Sequence, residues 1–365
     1  MFNNQRPGVY SRVGISGYRA SGGKASAALL LPCKGGERPG VYKLESYQDA
    51  KGALSGNQLA LDCARLLFDG AGRVIVAIAP GIHHAILSAG EVDVRAIVSG
   101  FTSTEELIVL REQVEAASET GRECIAFAGL EEPGAAVDAA QAANSGRMVL
   151  CCPALALKEE SVWDTYEDDA AIDDATTCLT SMEDTGLDDT AQPQAIYGAC
   201  ALAAAVMSAP SPLQNFNGLV AQRLRVAEPL PEDEVQRLIR AGVCVFEQVG
   251  ARAELIRAVT THTQTQSGEG SLRSLNTVLI IDDVLACVRG ALRGKLSGSG
   301  KVSLEGVRDL VAVELRGKHD ASIIASFAPP RIRPKPGDPS VALVEISFRV
   351  AHLLSQIHLS AYIRV

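Results

Sequence analysis

Arg73-Val74-Ile75-Val76-Ala77-Ile78-Ala79-Pro80 is apolar from its second residue to its seventh and is closed by proline, and it reads as a strand. Immediately upstream, Gly70 and Gly72 end a helix expected over Gln58 to Phe68. Further back come a helix entry at Ser46-Tyr47-Gln48-Asp49, a Pro/Gly loop from Pro32 to Gly40, and an apolar strand from Ala27 to Leu31. Downstream, strand-like runs at Ala96 to Val98, Cys124 to Ala128 and Met148 to Cys152 alternate with helical stretches at Thr104 to Ser118 and Gly134 to Ala143. This is the β-α-β rhythm of a layered sheet, so the fold class is α/β (α+β).

The 365 residues are 47% hydrophobic, enough for two or three packed domains, while aromatics make up only 4%. Cores built from Ala, Val, Leu and Ile leave no platform for stacking single-stranded nucleic acid. The net charge of −9 is unevenly placed. Residues 158–189 carry twelve carboxylates against Lys158 alone, whereas the chain from Val284 onward carries twelve Lys or Arg against six Asp or Glu. The middle is acidic and the end basic. The acidic run reads as a solvated face that would repel a phosphate backbone. No apolar run reaches the roughly 18 to 20 residues of a membrane span, and Ile196 to Ala209 reads as a buried helix. The first residues, Met1 to Pro7, lack the pattern of an export signal, and the nine irregularly spaced cysteines read as reduced core residues, which points to synthesis in the cytoplasm.

Further along, Pro231-Glu232-Asp233-Glu234 opens a helix that Gly242 closes, and Val243 to Gln248 with Glu254 to Val259 make a hairpin around Gly250. Val278, Ile281, Leu285, Val288 and Leu292 fall on one face of a helix that must dock on something. After it come a Gly/Ser loop at Ser297 to Lys301, a short helix at Ser303 to Leu315, and a basic, proline-rich connector from Pro329 to Pro339. A strand alternates through Ala342, Val344, Ile346, Phe348 and Val350, and another through Ile357, Leu359, Ala361, Ile363 and Val365. Near the start, Val9, Ser11, Val13 and Ile15 alternate with Tyr10, Arg12 and Gly14 in an extended arm. Arg6-Pro7-Gly8-Val9-Tyr10 recurs as Arg38-Pro39-Gly40-Val41-Tyr42, a match equally consistent with chance, a reused turn-to-strand signal or duplication.

Chemistry is hard to find. Gly294 to Val302 lacks the first glycine and the Ser/Thr of a phosphate-binding loop. His83-His84 has no ligand partner at metal spacing and is expected in a solvated loop, and Cys151-Cys152 lacks the two-residue gap of zinc or redox pairs and is expected to pack. No catalytic residues, cofactor or metal are expected. The β-patterned ends carry the remaining information. A strand left without partners exposes N–H and C=O groups that invite pairing, so these ends either complete the sheets of neighbouring copies or fold back on their own subunit.

Arg6 to Tyr10, Leu44-Glu45-Ser46-Tyr47-Gln48-Asp49-Ala50, Gly70 to Val76, Gly242-Val243, Arg257-Ala258-Val259-Thr260-Thr261-His262-Thr263, the long helix after Leu275-Asn276 and the alternating C-terminal strands together resemble, in order, the contractile tail sheath proteins of bacteriophages and phage tail-like particles. The resemblance implies a structural subunit and no enzyme. Such a subunit polymerises helically around an inner tube and contracts to drive that tube through a cell envelope. Its partners would be further copies of itself, the inner tail tube protein, and baseplate and tail terminator proteins, without direct nucleic-acid contact or membrane insertion. It would be made in the bacterial cytoplasm and assembled into a virion tail or tail-like particle.

The implied organisation is an arm over 1–25, outer α/β sheath domain(s) over 26–265 with the acidic segment 158–189 facing outward, a C-terminal α/β domain facing the tube over 266–352, and a linking strand over 353–365. The sheet of that C-terminal domain would be completed by strands from neighbouring subunits. Val9, Tyr10, Ser11, Arg12 and Val13, with Ile357, Leu359, Ala361, Ile363 and Val365, would be the linking strands. Val344, Ile346 and Phe348 would form the recipient edge, and Gly14 to Gly23 and Pro329 to Pro339 the hinges. Arg289, Arg293, Lys295, Lys301 and Arg308 would face the tube. Two other readings stay open: a cytosolic α/β enzyme that oligomerises through swapped tails, and a non-contractile filament or shell protein.

Overall fold

The computed structural model describes residues 26–33, 38–90, 94–158, 192–263, 270–298 and 303–351. In chain order the first elements are β1 (Ser26–Pro32), β2 (Gly40–Leu44), α1 (Tyr47–Ala53), α2 (Gln58–Phe68), β3 (Arg73–Ala79), α3 (Ile82–Ala89), β4 (Ala96–Ser99) and α4 (Thr104–Glu119). There follow β5 (Ile125–Gly129), α5 (Pro133–Ala143), β6 (Met148–Cys152), β7 (Leu155–Leu157), α6 (Ile196–Ser208), β8 (Leu219–Ala221), β9 (Leu224–Val226), α7 (Glu232–Ala241), β10 (Val243–Val249) and β11 (Arg252–Leu255). The last part holds α8 (Leu275–Gly298), α9 (Leu304–Asp320), β12 (Ile324–Phe327), β13 (Arg331–Lys335), β14 (Asp338–Glu345) and β15 (Phe348–Val350).

Helix starts follow local chemistry. The side chains of Ser46, Asn57 and Ser103 accept backbone N–H groups at the heads of α1, α2 and α4, and Ser103 and Glu106 cap each other reciprocally. At the other end of α7, Gly242 takes φ 88°, a left-handed conformation that stops the helix and turns the chain into β10.

Nine strands form one sheet in the order β2-β3-β1-β4-β5-β6-β10-β11-β8. The six from β3 to β10 run parallel, and antiparallel strands flank them at both ends. The expected apolar runs are the interior strands, and their residues alternate between two cores. In β3, Val74, Val76 and Ile78 join the core beneath α2 and α6, whereas Ile75, Ala77 and Ala79 join the core beneath α3, α4, α5 and α7. The architecture is therefore three layers, helix on sheet on helix. α6 is buried around most of its circumference, which is why its stretch is apolar throughout. No helix among the described residues is long and apolar enough to cross a membrane.

Several expectations need correction. His83 and His84 are not in a loop but on the exposed side of α3, whose buried side is Ile82, Ala85, Ile86 and Ala89. The hairpin around Gly250 exists, but β11 ends at Leu255, short of the expected Val259. α8 runs on through Gly298 into the expected Gly/Ser loop, and α9 extends to Asp320 rather than Leu315. The Pro329 to Pro339 connector is the first half of an antiparallel hairpin, with β13 paired to β14 from Arg331↔Glu345 to Lys335↔Asp338. Proline at 334 is tolerated because, among the described residues, the hairpin is a two-stranded sheet in which each strand is an edge. The single strand expected from Ala342 to Val350 breaks after Glu345, its first part belonging to β14 and its last to β15.

α8 also differs from the one-faced helix that the spacing predicts. Val278, Leu279 and Ile281 pack into the sheet core beside α6, while Ile280, Val284, Val288 and Leu292 pack into a third core with Val307, Val311 and Leu315 of α9 and Ile324 of β12. The helix is shared between the sheet body and a small C-terminal unit. The arm, the acidic residues from 159 to 191 and the C-terminal strand from 352 onward lie outside the described residues.

Candidate assembly interface

The C-terminal unit is built from two helices and two short ribbons. Ser303 accepts the Gly306 N–H at 3.0 Å and starts α9, whose buried stripe Val307, Val311 and Leu315 recurs every four residues and meets α8. The helix ends through backbone bonds to Ala321, Ser322 and Ile323, with Ser322 at φ 60°, and the chain turns directly into β12. β12 pairs antiparallel with β15, Phe327 opposite Phe348 and Ile324 opposite Val350, with a register shift between Ile324 and Ser326. Ala328 N–H donates to the Ser347 carbonyl at 2.8 Å and extends the ribbon past the strand ends.

That ribbon is two strands wide. Among the described residues no third strand pairs with either of its edges. Such a ribbon is marginal by itself and here rests on the α8/α9 pair, with Phe327, Phe348 and Val350 only partly covered. Outward N–H and C=O groups and half-covered apolar side chains are the two things that an added strand would satisfy. Of the three expected edge residues, Phe348 lies in this ribbon. Val344 lies in β14 opposite Ile332, and Ile346 lies between the two strands; both pack on the third core. Val9 to Val13 and Ile357 to Val365 lie outside the described residues.

The expected basic residues separate. Arg289 is buried in an ion pair with Glu123, so it leaves the set of surface contacts; the cause is its place on the inner side of α8 facing the body. Arg293 is exposed near the end of α8. Arg308 is half exposed on α9 and lies 3.7 Å from Asp309. Lys295 is within α8 but its side chain is outside the described set, as is all of Lys301. The β13–β14 hairpin adds exposed Arg331, Arg333 and Lys335, with Arg333 bound to Glu345 at 2.5 Å.

Sequence reasoning missed the buried charges. Asp282 and Asp283 sit side by side in α8, 4% and 0% exposed. Asp282 takes a bidentate bond from Arg147, in the loop before β6, and Asp283 pairs with Lys318 of α9 at 2.5 Å. Burial pushes the Asp282 carboxyl up, with Arg147 and Arg95 opposing. Burial is the largest influence on Arg147 and acts to lower it, yet the charge and hydrogen bonds of Asp282, with Cys124 and Glu115, together outweigh it and the guanidinium holds its proton more firmly than usual. The available signal was two acids inside an otherwise apolar stretch, Leu279-Ile280-Ile281-Asp282-Asp283-Val284, because buried carboxylates need cations.

No protein-family model and no curated protein matches the sequence. Solved structures do match in shape. The sheath tail protein Lin1278 from Listeria innocua superposes with a TM-score of 0.66 at 10% identity, covering 92% of this chain and 93% of that one. The sheath of an extracellular contractile injection system, PVC, in its contracted state gives 0.65 at 11% identity over 99% and 98%. The sheath tail protein DSY3957 from Desulfitobacterium hafniense gives 0.61 at 10% over 93% and 100%.

The chain has the sheath fold. The likeness runs through both the nine-stranded body and the C-terminal unit, since it spans nearly the whole of each chain.

Proposed function

We propose that the chain is the structural subunit of a contractile sheath, which polymerises helically around an inner tube and shortens to drive that tube through a target envelope. The observation that carries this is the β12/β15 ribbon: a half-built sheet on a finished helical support, in a chain whose two ends are strand-patterned. Residues 9–13 of one copy and 357–365 of another would fill its edges. Because a donated strand is a heterologous contact, copies link head to tail and build rings where the rotation closes and an open helix where it does not; a sheath requires the helix. Arg293, Lys295, Lys301 and Arg308 are the tube-facing candidates, and baseplate and terminator proteins would bound the polymer. The energy of contraction would be stored at assembly in a metastable lattice and released without nucleotide.

The test is electron microscopy of the purified chain, alone and with an inner tube protein. Full-length protein should give helical polymers of two stable lengths, extended and contracted. Removing residues 1–16 or 353–365 should leave a folded, monodisperse subunit that does not polymerise. A truncated chain that assembles normally would overturn strand donation, and a polymer of one fixed length would favour a non-contractile filament.

A further inference from the structure

We propose that Arg147–Asp282 and Glu123–Arg289 form a two-point registry lock that makes the nine-stranded body follow the C-terminal unit. Both pairs join α8 to the body at neighbouring places, since Glu123 lies just before β5 and Arg147 just before β6, and these two strands are paired in parallel. Asp282 and Arg289 are seven residues apart, two helical turns or about 10.5 Å along the axis, and so share a face. One ion pair would act as a pivot. Two, set that far apart, fix the angle of α8 as well as its position.

The polarity adds a second constraint. Asp282 meets a cation of the body and Arg289 meets an anion, so sliding α8 by one turn would strip both of partners and leave buried charges uncompensated. Apolar contacts of Val278, Leu279 and Ile281 hold the helix against the core but would tolerate such a shift far better. Buried ion pairs are costly to desolvate, and setting a register is the use for which they are best attested. Asp283 plays a separate part. Its partner Lys318 is on α9, so that pair ties α8 to its own unit rather than to the body.

In the sheath reading, on which this inference rests, neighbours are linked through the C-terminal unit. Among the described residues, rotation of that unit would reach the body through a junction that α8 carries, with Leu213 and Val350 packed beside it.

The test compares hydrogen exchange in the full chain with Arg147→Ala, Asp282→Asn, Glu123→Gln and Asp283→Asn. The first three should raise exchange at least about tenfold in α8 and in the 121–124 and 144–147 loops while leaving β1, β4 and β5 protected. The double variant R147A/D282N should be no worse than the more affected single one, because the pair acts as a unit. Asp283→Asn should loosen α9 and leave those loops unchanged. In polymers of Arg147→Ala, the C-terminal layer should stay ordered while the body blurs in averaged images. Unchanged α8 exchange, additive single effects, or a rise spread evenly over the whole sheet would each overturn the lock. The exchange arm needs no polymer, so a wild-type chain that never assembles would count against the sheath reading and leave the lock to be judged by exchange alone.

Discussion

Gly129 ends β5 where α6 begins to cross it, and a Cβ built there would collide with the backbone carbonyl of Ala195. The neighbour is backbone and cannot step aside, so Gly129→Ala should cost at least about 2 kcal/mol and lower the thermal midpoint by several degrees in calorimetry. Gly242, with its positive φ and the Thr260 carbonyl oxygen 2.5 Å from where a Cβ would stand, should respond similarly. Cysteine chemistry gives a second check at this scale. Burial pushes the Cys287 thiol up to about 12, helped by its hydrogen bond to Glu314 at 2.9 Å. Since only the thiolate reacts, roughly one Cys287 in ten thousand is reactive at pH 8, and alkylation at this position, read from its peptide by mass spectrometry, should be slow and should rise about tenfold per pH unit. Glu314→Gln replaces a charged acceptor that favours the protonated thiol with a weaker neutral one and removes a nearby negative charge, so it should speed alkylation at fixed pH. An unchanged rate would show that the bond does not hold the proton. The glycines that close helices were readable from the sequence. The Arg147–Asp282 pair was not, because its members lie 135 residues apart, and although Asp282 stands out in an apolar stretch nothing in the sequence points to Arg147 as its partner.

Elements were most legible where burial on both faces forces an unbroken apolar run. β1, β3, β5 and β6 are such strands, and among the helices between them α1, α2 and α4 start on side-chain caps. The C-terminal unit was less legible because its strands are short, half-exposed and interrupted by prolines, so β13 looks like a connector and β14 and β15 like one strand. The spacing in α8 suggests a single face because its apolar residues serve two cores. Leu315, fully buried on α9, tests the independence of these cores. Leu315→Ala should cost about 2 to 5 kcal/mol and open α9 and the β12/β15 ribbon to protease or exchange while the sheet body keeps its protection. Equal loss throughout would mean that the chain unfolds as a single cooperative unit.

For the whole molecule, the acidic segment is set apart by how it is attached. Leu155 and Gln194 exchange backbone hydrogen bonds at 3.2 and 2.8 Å, so the two ends of the intervening chain are held side by side. Replacing residues 159–191 with a short Gly/Ser linker should therefore keep the body folded, with a midpoint within about 3 °C of the full chain. It removes twelve carboxylates and no cation, moving the net charge from −9 to +3. Self-association of the shortened chain should then lose the charge repulsion of the parent and depend differently on salt, measured by light scattering. Collapse of the fold would show that the segment contributes to a core.

The position of β1 bears on how the subunit would withstand traction. β1 follows the arm directly, yet it lies in the middle of the sheet, paired with β3 from Ser26↔Arg73 to Pro32↔Ala79 on one side and with β4 from Ala27↔Ala96 to Leu30↔Ser99 on the other. A tug on the start of the chain would have to shear two ladders at once instead of peeling a rim strand one bond at a time. A tether attached there would be rooted in an interior strand of the sheet and not at its rim.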